Sequence, residues 1–312
     1  MIARDDIPII TPVLYHPRSL QEAWELKREL GPDAVYVAGS TLLRTQWDAG
    51  TATLPKALID LRGVEGMSGI HADGGEIRIG AMTDMSVCRS SAELEAAAPS
   101  LREAARVIAA PSVRNLATLG GNIASGYGDV LPALLAIDAV LDVYDGEAGE
   151  VSLPVRDWLA VRWSGEGAPQ AIVAGVRIPK AEAGAGERRY EAYRKVGRRE
   201  AFTPSLVTAA LSGTVGADGL LRGVRIAAGG GSGRPHRLGR AEALLEGGRF
   251  REELLPLVYE AVLEEYEAAG DAFATAAYKR KTAANLIAAE LWRLLERMPE
   301  PGSGPQTADS RV

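Results

Sequence analysis

Two short segments of the sequence combine glycine with small hydroxyl residues in a way that suits phosphate binding. Residues 37–43 (VAGSTLL) follow a short apolar run and precede a helix-like stretch, and residues 115–123 (NLATLGGNI) contain two adjacent glycines. Glycine lets a phosphate approach the backbone, and successive N–H groups near the positive end of a helix attract an anion. Neither segment has the Gly-Lys-Ser/Thr ending of a Walker loop or the spaced glycines of a dinucleotide fingerprint. An ordinary turn is the alternative for each.

Other polar residues are weaker candidates for contacts to a phosphate or a sugar. Asp129 follows the second segment and could accept hydrogen bonds from sugar hydroxyls, or it could only cap a helix. Basic side chains are concentrated in residues 187–200 and include Arg194 and Lys195, which could meet a phosphate. The glutamates between them favour a solvated strand face for most of these side chains. Residues 229–235 (GGGSGRP) indicate a plain connection rather than a nucleotide-binding loop.

Composition excludes several kinds of redox or hydrolytic centre. Cys88 is the sole cysteine, so the chain has neither an internal disulfide nor the roughly four thiolates of an iron–sulfur cluster. The three histidines are His16, His71 and His236, and none lies at metal-ligand spacing from another. No Ser–His–Asp or Cys–His pairing is evident, and Cys88 is expected to be a small core residue. We therefore expect no metal site, and any redox carrier must be organic.

The elements around these segments predict an α+β fold. Ser19 and Glu22 form a capping box for a helix that stops at Gly31, and short strands are expected at residues 34–38, 57–61 and 76–79. Further expectations are a helix over residues 100–110 opened by Ser100, a loop at 113–128, a helix over 130–137 capped by Asp129, and a strand at 140–144. The lack of regular strand–helix alternation excludes a doubly wound sheet.

The second half of the chain predicts a separate unit. Residues 179–187 are poor in large apolar side chains and indicate a domain boundary. Three strands (189–196, 205–215 and 220–228) and two helices (252–269 and 276–297) follow, with a hairpin at residues 216–219. We expect domains at 1–178 and 179–297 and a disordered tail at 298–312.

The chain has 312 residues, a formal net charge of −6 and 46% hydrophobic residues. These values indicate about two domains with a buried core and give no net positive field for nucleic acid or anionic membrane. The acidic start does not resemble a signal peptide, and no window approaches ~20 apolar residues. We therefore expect a cytoplasmic protein.

The pair of segments resembles the two FAD pyrophosphate loops of a known family, the medium, FAD-binding subunits of molybdenum hydroxylases. This family includes carbon monoxide dehydrogenase and xanthine dehydrogenase. The resemblance rests on residues 38–41 (AGST) and 118–122 (TLGGN) in that order, and on 131–135, 193–199, 226–230, 241–245 and 278–282. It covers residues 10–297. The variant TLLRTQW at residues 41–47 is most similar to subunits of xanthine or purine dehydrogenases.

The resemblance implies an FAD-binding domain of two α+β subdomains, of the vanillyl-alcohol-oxidase-like type. A C-terminal domain with a three-stranded antiparallel sheet and a helix bundle would follow it. It implies partners as well: a small subunit with two [2Fe–2S] clusters and a large subunit with the molybdenum cofactor. The FAD would pass electrons to NAD⁺, oxygen or another acceptor. The residues expected to bind FAD are Val37, Ala38, Gly39, Ser40, Thr41, Leu42, Thr118, Gly120, Gly121, Asn122, Ser125, Asp129, Arg194 and Lys195.

Two departures from the family pattern leave alternatives open. Ser40 replaces the second glycine of the usual first loop, Leu42 replaces an acid, and the stretch from Asn122 to Asp129 is about two residues short. A stand-alone FAD-dependent reductase or oxidase could use the same scaffold. A non-catalytic assembly subunit that has lost FAD is the other alternative. The substrate of a complex would be set by its molybdenum subunit.

Overall fold

The computed structural model describes residues 11–165, 170–180, 184–199, 204–231 and 233–297. Within these ranges the strands are β1 (Val13–Tyr15), β2 (Ala34–Val37), β3 (Ala57–Asp60), β4 (Ile70–Asp73), β5 (Glu76–Gly80), β6 (Val140–Asp145), β7 (Gly149–Pro154), β8 (Ile172–Pro179), β9 (Arg188–Gly197), β10 (Ser205–Val215), β11 (Leu221–Gly230) and β12 (Gly233–Arg237). The helices are α1 (Leu20–Leu30), α2 (Thr41–Asp48), α3 (Met85–Ser90), α4 (Ala92–Ala97), α5 (Pro99–Val107), α6 (Pro111–Arg114), α7 (Leu119–Ala124), α8 (Leu131–Ala136), α9 (Val155–Ser164), α10 (Gly239–Ala243), α11 (Leu254–Glu265) and α12 (Ala276–Glu296).

The first subdomain is a small parallel sheet with the strand order β1-β3-β2. The predicted cap of α1 is present, since the hydroxyl of Ser19 accepts from the Glu22 amide at 3.1 Å. The Glu22 carboxylate accepts from the amide of Arg18 at 2.7 Å, one residue before the position of a capping box. Gly31, with a φ of 59°, ends the helix as expected. Because the three strands of the sheet run parallel, their carboxyl ends lie at one edge of it.

The second subdomain is an antiparallel five-stranded sheet with the order β4-β5-β8-β6-β7. Alternation along β5 matches the prediction, because Ile77 and Ile79 are buried while Arg78 between them is exposed. The helices α3 to α9 connect or flank these strands. The arrangement is α+β, as the irregular order of elements in the sequence indicates.

The C-terminal domain has four antiparallel strands in the order β12-β11-β10-β9, one more than we expected. The extra strand is β12, which lies in the glycine-rich segment that we interpreted as a plain connection. Gly230 pairs with Gly233 and Ala228 with His236, so the chain folds straight back onto β11. The predicted hairpin is present, since the Gly216 amide donates to the Leu220 carbonyl at 2.8 Å. Helices α10, α11 and α12 belong to this domain.

The sequence-based boundaries around the second glycine segment were partly wrong. Helix α5 begins at Pro99 with Ala98 as its cap, because the Ser100 hydroxyl instead donates to the carboxylate of Glu191 at 2.7 Å. The expected loop at 113–128 contains α6 and α7. Helix α8 begins one residue later than expected, with Val130 as its cap, because the side chain of Asp129 points to the C-terminal domain. The predicted caps Ser100 and Asp129 bond instead to residues far away in the sequence, and the short helices α6 and α7 were not recognised.

Helix α8 is buried along its whole length and joins the two halves of the molecule. It contacts β10, β11 and β12 on one side and α5 and α9 on the other. The core of the N-terminal half also includes Tyr193, Ala210 and Ala227 from the C-terminal sheet. A second apolar core lies between that sheet and helices α10 to α12. Among the described residues, no helix has the length and apolar character needed to cross a bilayer. The expected tail at 298–312 lies outside the described residues.

Candidate cofactor site

The first glycine segment connects β2 to α2 at the carboxyl edge of the parallel sheet. Ser40 caps α2 in the left-handed region, with a φ of 53° and a ψ of 13°, and its hydroxyl makes no cap hydrogen bond. The N–H groups of residues 39–43 have no hydrogen-bond acceptor within the part of the chain that the structure describes. The first turn of α2 carries no acidic residue. A left-handed residue followed by helical ones aligns successive N–H groups as an anion nest.

The second glycine segment also begins a helix, but its backbone amides, unlike those of the first segment, form hydrogen bonds within the protein. The hydroxyl of Thr118 accepts from the Gly121 amide at 3.1 Å, which starts α7. The Leu119 amide donates to Thr83 and the Gly120 amide to Ala81, both across to the neighbouring chain segment. The amide of Asn122 donates to the Thr118 carbonyl at 3.1 Å. The four amides of residues 119–122 are thus engaged within the protein, and the unengaged amides are those of the first segment.

The two segments touch each other directly. A Cβ atom on Gly39 would lie 1.7 Å from the carbonyl oxygen of Leu116, so only glycine allows this approach. On the second segment, a Cβ on Gly120 would lie 2.6 Å from the Cβ of Ala81, whereas one on Gly121 would meet only the Thr118 hydroxyl at 3.0 Å. Gly39 therefore allows the first segment to contact the second, whereas Gly120 allows the second segment to pack against the residue that follows β5.

The stretch from Asn122 to Asp129, which is shorter than in the family pattern, is held by hydrogen bonds of its own side chains. The Asn122 carboxamide oxygen accepts from the Val130 amide at 3.2 Å, and the Ser125 hydroxyl donates to the Asn122 carbonyl at 2.7 Å. The rings of Tyr127 and Trp163 lie 6.4 Å apart, and the indole N–H of Trp163 is buried without an acceptor in the described residues. Arg234 from β12 faces the same indole at 5.6 Å. An aromatic wall therefore borders the second segment.

Asp129 and Lys195 form a polar contact between the two domains. The Asp129 carboxylate accepts from the Lys195 ammonium group at 2.8 Å and from the Ser205 hydroxyl at 2.5 Å. The Lys195 ammonium group also donates to the Val107 carbonyl at 3.2 Å. Arg194 points elsewhere and pairs with Glu290 of α12 at 2.7 Å. The structure therefore brings Asp129 and Lys195 together near the second segment, while Arg194 lies apart from them.

Charged residues that the sequence analysis missed surround the carboxyl edge of the parallel sheet. Asp60 is paired with Val37 across β3 and β2, and it accepts a two-pronged hydrogen bond from Arg62. Burial is the largest single influence and would raise the pKa of Asp60, but the hydrogen bonds and positive charge of Arg62, together with the charge of His16, outweigh it and lower the pKa. His16 lies 3.7 Å from the same carboxylate. The alignment of strand ends in a parallel sheet was the signal that could have found this cluster.

Asp84 is a second residue that the sequence analysis missed. It forms an isolated antiparallel bridge with Thr118, and the flanking bonds run from the Met85 amide to Ala117 and from the Leu119 amide to Thr83. It caps α3 without a side-chain hydrogen bond. Desolvation raises the pKa of Asp84, although the positive charge of Arg62 acts against this.

Nothing in the described residues adds nucleophilic or metal chemistry. Burial raises the pKa of the Cys88 thiol to about 12, so the thiolate is scarce near neutral pH. No group of three or more His, Cys, Asp or Glu side chains in the described ranges is placed to hold a metal ion. The site can bind an anion and sugar hydroxyls through backbone and polar groups. Five amides without acceptors at the start of an eight-residue helix fit the pyrophosphate of a dinucleotide such as FAD.

Comparison with known families divides the chain into two matched regions. The family described as "FAD binding domain in molybdopterin dehydrogenase" matches residues 9–181. The family described as "CO dehydrogenase flavoprotein C-terminal domain" matches residues 191–292.

Individual relatives agree with these matches. The carbon monoxide dehydrogenase medium chain of Afipia carboxidovorans is 33% identical over 185 residues, which are 59% of this chain and 64% of the relative. The alignment thus spans less than two thirds of that relative. The nicotine 6-hydroxylase medium subunit of Paenarthrobacter nicotinovorans is 27% identical and aligns over 87% of this chain and 93% of its own. In reconstituted CO dehydrogenase from Oligotropha carboxidovorans, one chain superposes with a TM-score of 0.82 at 26% identity, covering 92% of this chain and 99% of that one.

Proposed function

Since this chain belongs to the FAD-binding family of molybdopterin dehydrogenases, we propose that it is the electron-transfer subunit of a heteromeric molybdenum hydroxylase. Electrons from [2Fe–2S] clusters of a small partner subunit reach FAD on this chain and leave to NAD⁺, oxygen or another acceptor. The large partner subunit carries the molybdenum cofactor and determines the substrate. When bound, FAD supplies the chemistry of accepting and releasing electrons.

The observation that carries this proposal is the run of unengaged amides at residues 39–43. They lie at the positive end of α2, where an anion is stabilised by the helix dipole and by hydrogen bonds. The second segment, held beside them through the Gly39–Leu116 contact, bounds the same space. Gly39 to Leu42 are therefore our proposed pyrophosphate ligands.

The other expected FAD ligands play supporting parts in this proposal. Thr118, Gly120, Gly121 and Asn122 keep the second segment in place, because their amides and side chains bond within the protein. Asp129 and Lys195 hold the C-terminal domain against it. We propose a domain boundary within residues 179–187, which overlap the gap between the two matched regions, 9–181 and 191–292.

Introducing a negative charge at position 40 tests the pyrophosphate site. Asparagine and aspartate both tolerate the left-handed conformation, so Ser40→Asn and Ser40→Asp should fold alike. The added carboxylate of Ser40→Asp should repel the pyrophosphate and weaken FAD binding by at least about tenfold. Ser40→Asn should stay close to the wild-type affinity. The measurement is titration of FAD followed by quenching of its fluorescence, with thermal unfolding of each variant as the folding control.

Absorption of the purified complex tests the electron-transfer role. The proposal expects a yellow chain that releases FAD on heating and co-purifies with an iron–sulfur and a molybdenum-containing subunit. Substrate of the complex should bleach the flavin band only when all three subunits are present. A yellow chain that is reduced by its own substrate without partners would instead identify a stand-alone reductase or oxidase. A chain that refuses FAD in the assembled complex would contradict the proposal.

A further inference from the structure

Asp84 lies beside the Thr118 cap in a geometry that aligns their two side chains. The bonds from the Met85 amide to Ala117 and from the Leu119 amide to Thr83 flank the pair, at 2.8 and 2.9 Å. Such a pair is the non-hydrogen-bonded kind, in which opposite residues approach to about 4.5 Å and their side chains share one face. The side chains of Asp84 and Thr118 therefore lie on the same face of this short pairing.

The carboxylate of Asp84 accepts no hydrogen bond and forms no ion pair within the described ranges of the chain. It caps α3, yet the amides of that helix do not bond to it. The residue is half-buried, so water does not surround it as it would on an open surface. A partly desolvated carboxylate without donors is unfavourable unless a ligand supplies them.

Asp84 is connected through its neighbours to both glycine segments. Its bridge partner Thr118 caps α7 in the second segment, and the positive charge of Arg62 acts to lower the pKa of Asp84. Arg62 is bound to Asp60, which is the register partner of Val37 at the start of the first segment. A dinucleotide whose pyrophosphate lies on the first segment would extend its sugars past this carboxylate.

Asp129 is the carboxylate that the sequence analysis assigned to sugar hydroxyls, but its two oxygens already accept from Lys195 and Ser205. On the basis of the function proposed above, we infer that Asp84 accepts hydrogen bonds from a vicinal diol of the bound FAD. The diol belongs either to the adenosine ribose or to the ribityl chain. Two hydroxyl groups would supply the donors that the carboxylate lacks.

The test compares Asp84→Ala and Asp84→Asn with Asp73→Asn, which changes an exposed carboxylate of the β4–β5 hairpin. FAD affinity is measured by fluorescence titration, and ADP and FMN are used as competitors that each carry one of the two diols. Loss of hydrogen bonds to a charged group predicts FAD binding about 10- to 100-fold weaker in Asp84→Ala. Asp73→Asn should bind as the wild type does. Without ligand, the melting temperatures of the Asp84 variants should not fall below that of the wild type, because the carboxylate makes no cap bond and is partly desolvated.

The competitors separate a direct contact from a structural effect. If Asp84→Ala weakens ADP but not FMN, the diol is the adenosine ribose; the reverse pattern identifies the ribityl chain. Either result supports the inference. Equal weakening of both, or of neither, overturns it and leaves the proposed function standing, because the wild type still binds FAD. A wild-type chain that binds none of the three ligands overturns the proposed function itself.

Discussion

Ser40 shows how a single backbone angle limits the side chains that the first glycine segment accepts. Its left-handed φ of 53° costs a residue with a Cβ atom about 1–2 kcal/mol, and a β-branched side chain more. We predict that Ser40→Gly stays within about 1 kcal/mol of the wild-type unfolding free energy, since relief of strain offsets the entropy of glycine. Ser40→Val should lose at least about 1–2 kcal/mol. Urea denaturation of both variants measures this, and equal stability of the two would contradict the assignment.

For individual residues, the sequence was enough to identify the two glycine segments but not the contacts that each residue makes. Gly39 and Gly120 were expected to let a phosphate approach, yet their missing side chains make room for Leu116 and Ala81. The partners of Asp129 lie 66 and 76 residues away in the chain, so no local pattern reveals them. Asp84 carries no motif at all and becomes visible only through its bridge to Thr118.

The contact between the two glycine segments is a property of elements rather than of one residue. We predict that Gly39→Ala and Gly120→Ala lower the melting temperature and the FAD affinity together, because the added Cβ overlaps the backbone of Leu116 in the first variant and atoms of Ala81 in the second. Gly121→Ala meets only a side-chain oxygen and lies within α7, so it should be the mildest of the three. Thermal unfolding and FAD titration of the three variants give the ranking. A ranking with Gly121→Ala as the most damaging would contradict this account.

Helix α12 depends on a pair between its buried Lys279 and Asp271 in the preceding loop, 2.5 Å apart. The hydrogen bond from Lys279 lowers the pKa of Asp271 to about 2. A carboxyl whose pKa is lower in the folded state stabilises the fold above its unfolded pKa of about 4, and this contribution is lost as the pH falls towards 2. We predict that Asp271→Asn is less stable than the wild type at pH 7. The difference in melting temperature should shrink between pH 4 and pH 2; a constant difference would contradict the pairing.

Individual strands and helices were predictable where neighbouring residues in the sequence determine them. The Ser19 cap, the stop at Gly31, the alternation along β5 and the hairpin after β10 were all confirmed. Strand β12 and helix α7 were not predicted, because glycine-rich stretches carry no periodicity to distinguish a strand or helix from a loop. Helix α6 was not predicted because its four residues are too few to show a helical period.

At the scale of the whole molecule, the ion pair between Lys195 and Asp129 connects the two domains. Lys195 is 8% and Asp129 15% exposed, so removing one partner leaves a charge with little solvent. We predict that Lys195→Met and Asp129→Leu each lower the unfolding free energy by about 3 kcal/mol. The double variant should lose less than the sum, with a coupling of at least about 1 kcal/mol. The same cycle on the exposed Arg44–Asp48 pair should give a much smaller coupling, because water screens both charges. Additive effects at Lys195 and Asp129 would contradict the contact.

The burial of α8 by strands from the C-terminal sheet has a consequence for the time course of synthesis. Its apolar residues, Leu131 to Ala136, leave the ribosome well before β10, β11 and β12, which end at Arg237. At 5–20 residues per second, the covering strands follow after roughly 5–20 s. For that interval the nascent chain carries an uncovered apolar helix. A chaperone that binds apolar segments near the exit tunnel should therefore engage this chain between the completion of α8 and that of β12. Ribosome profiling of chaperone-bound nascent chains would locate that window.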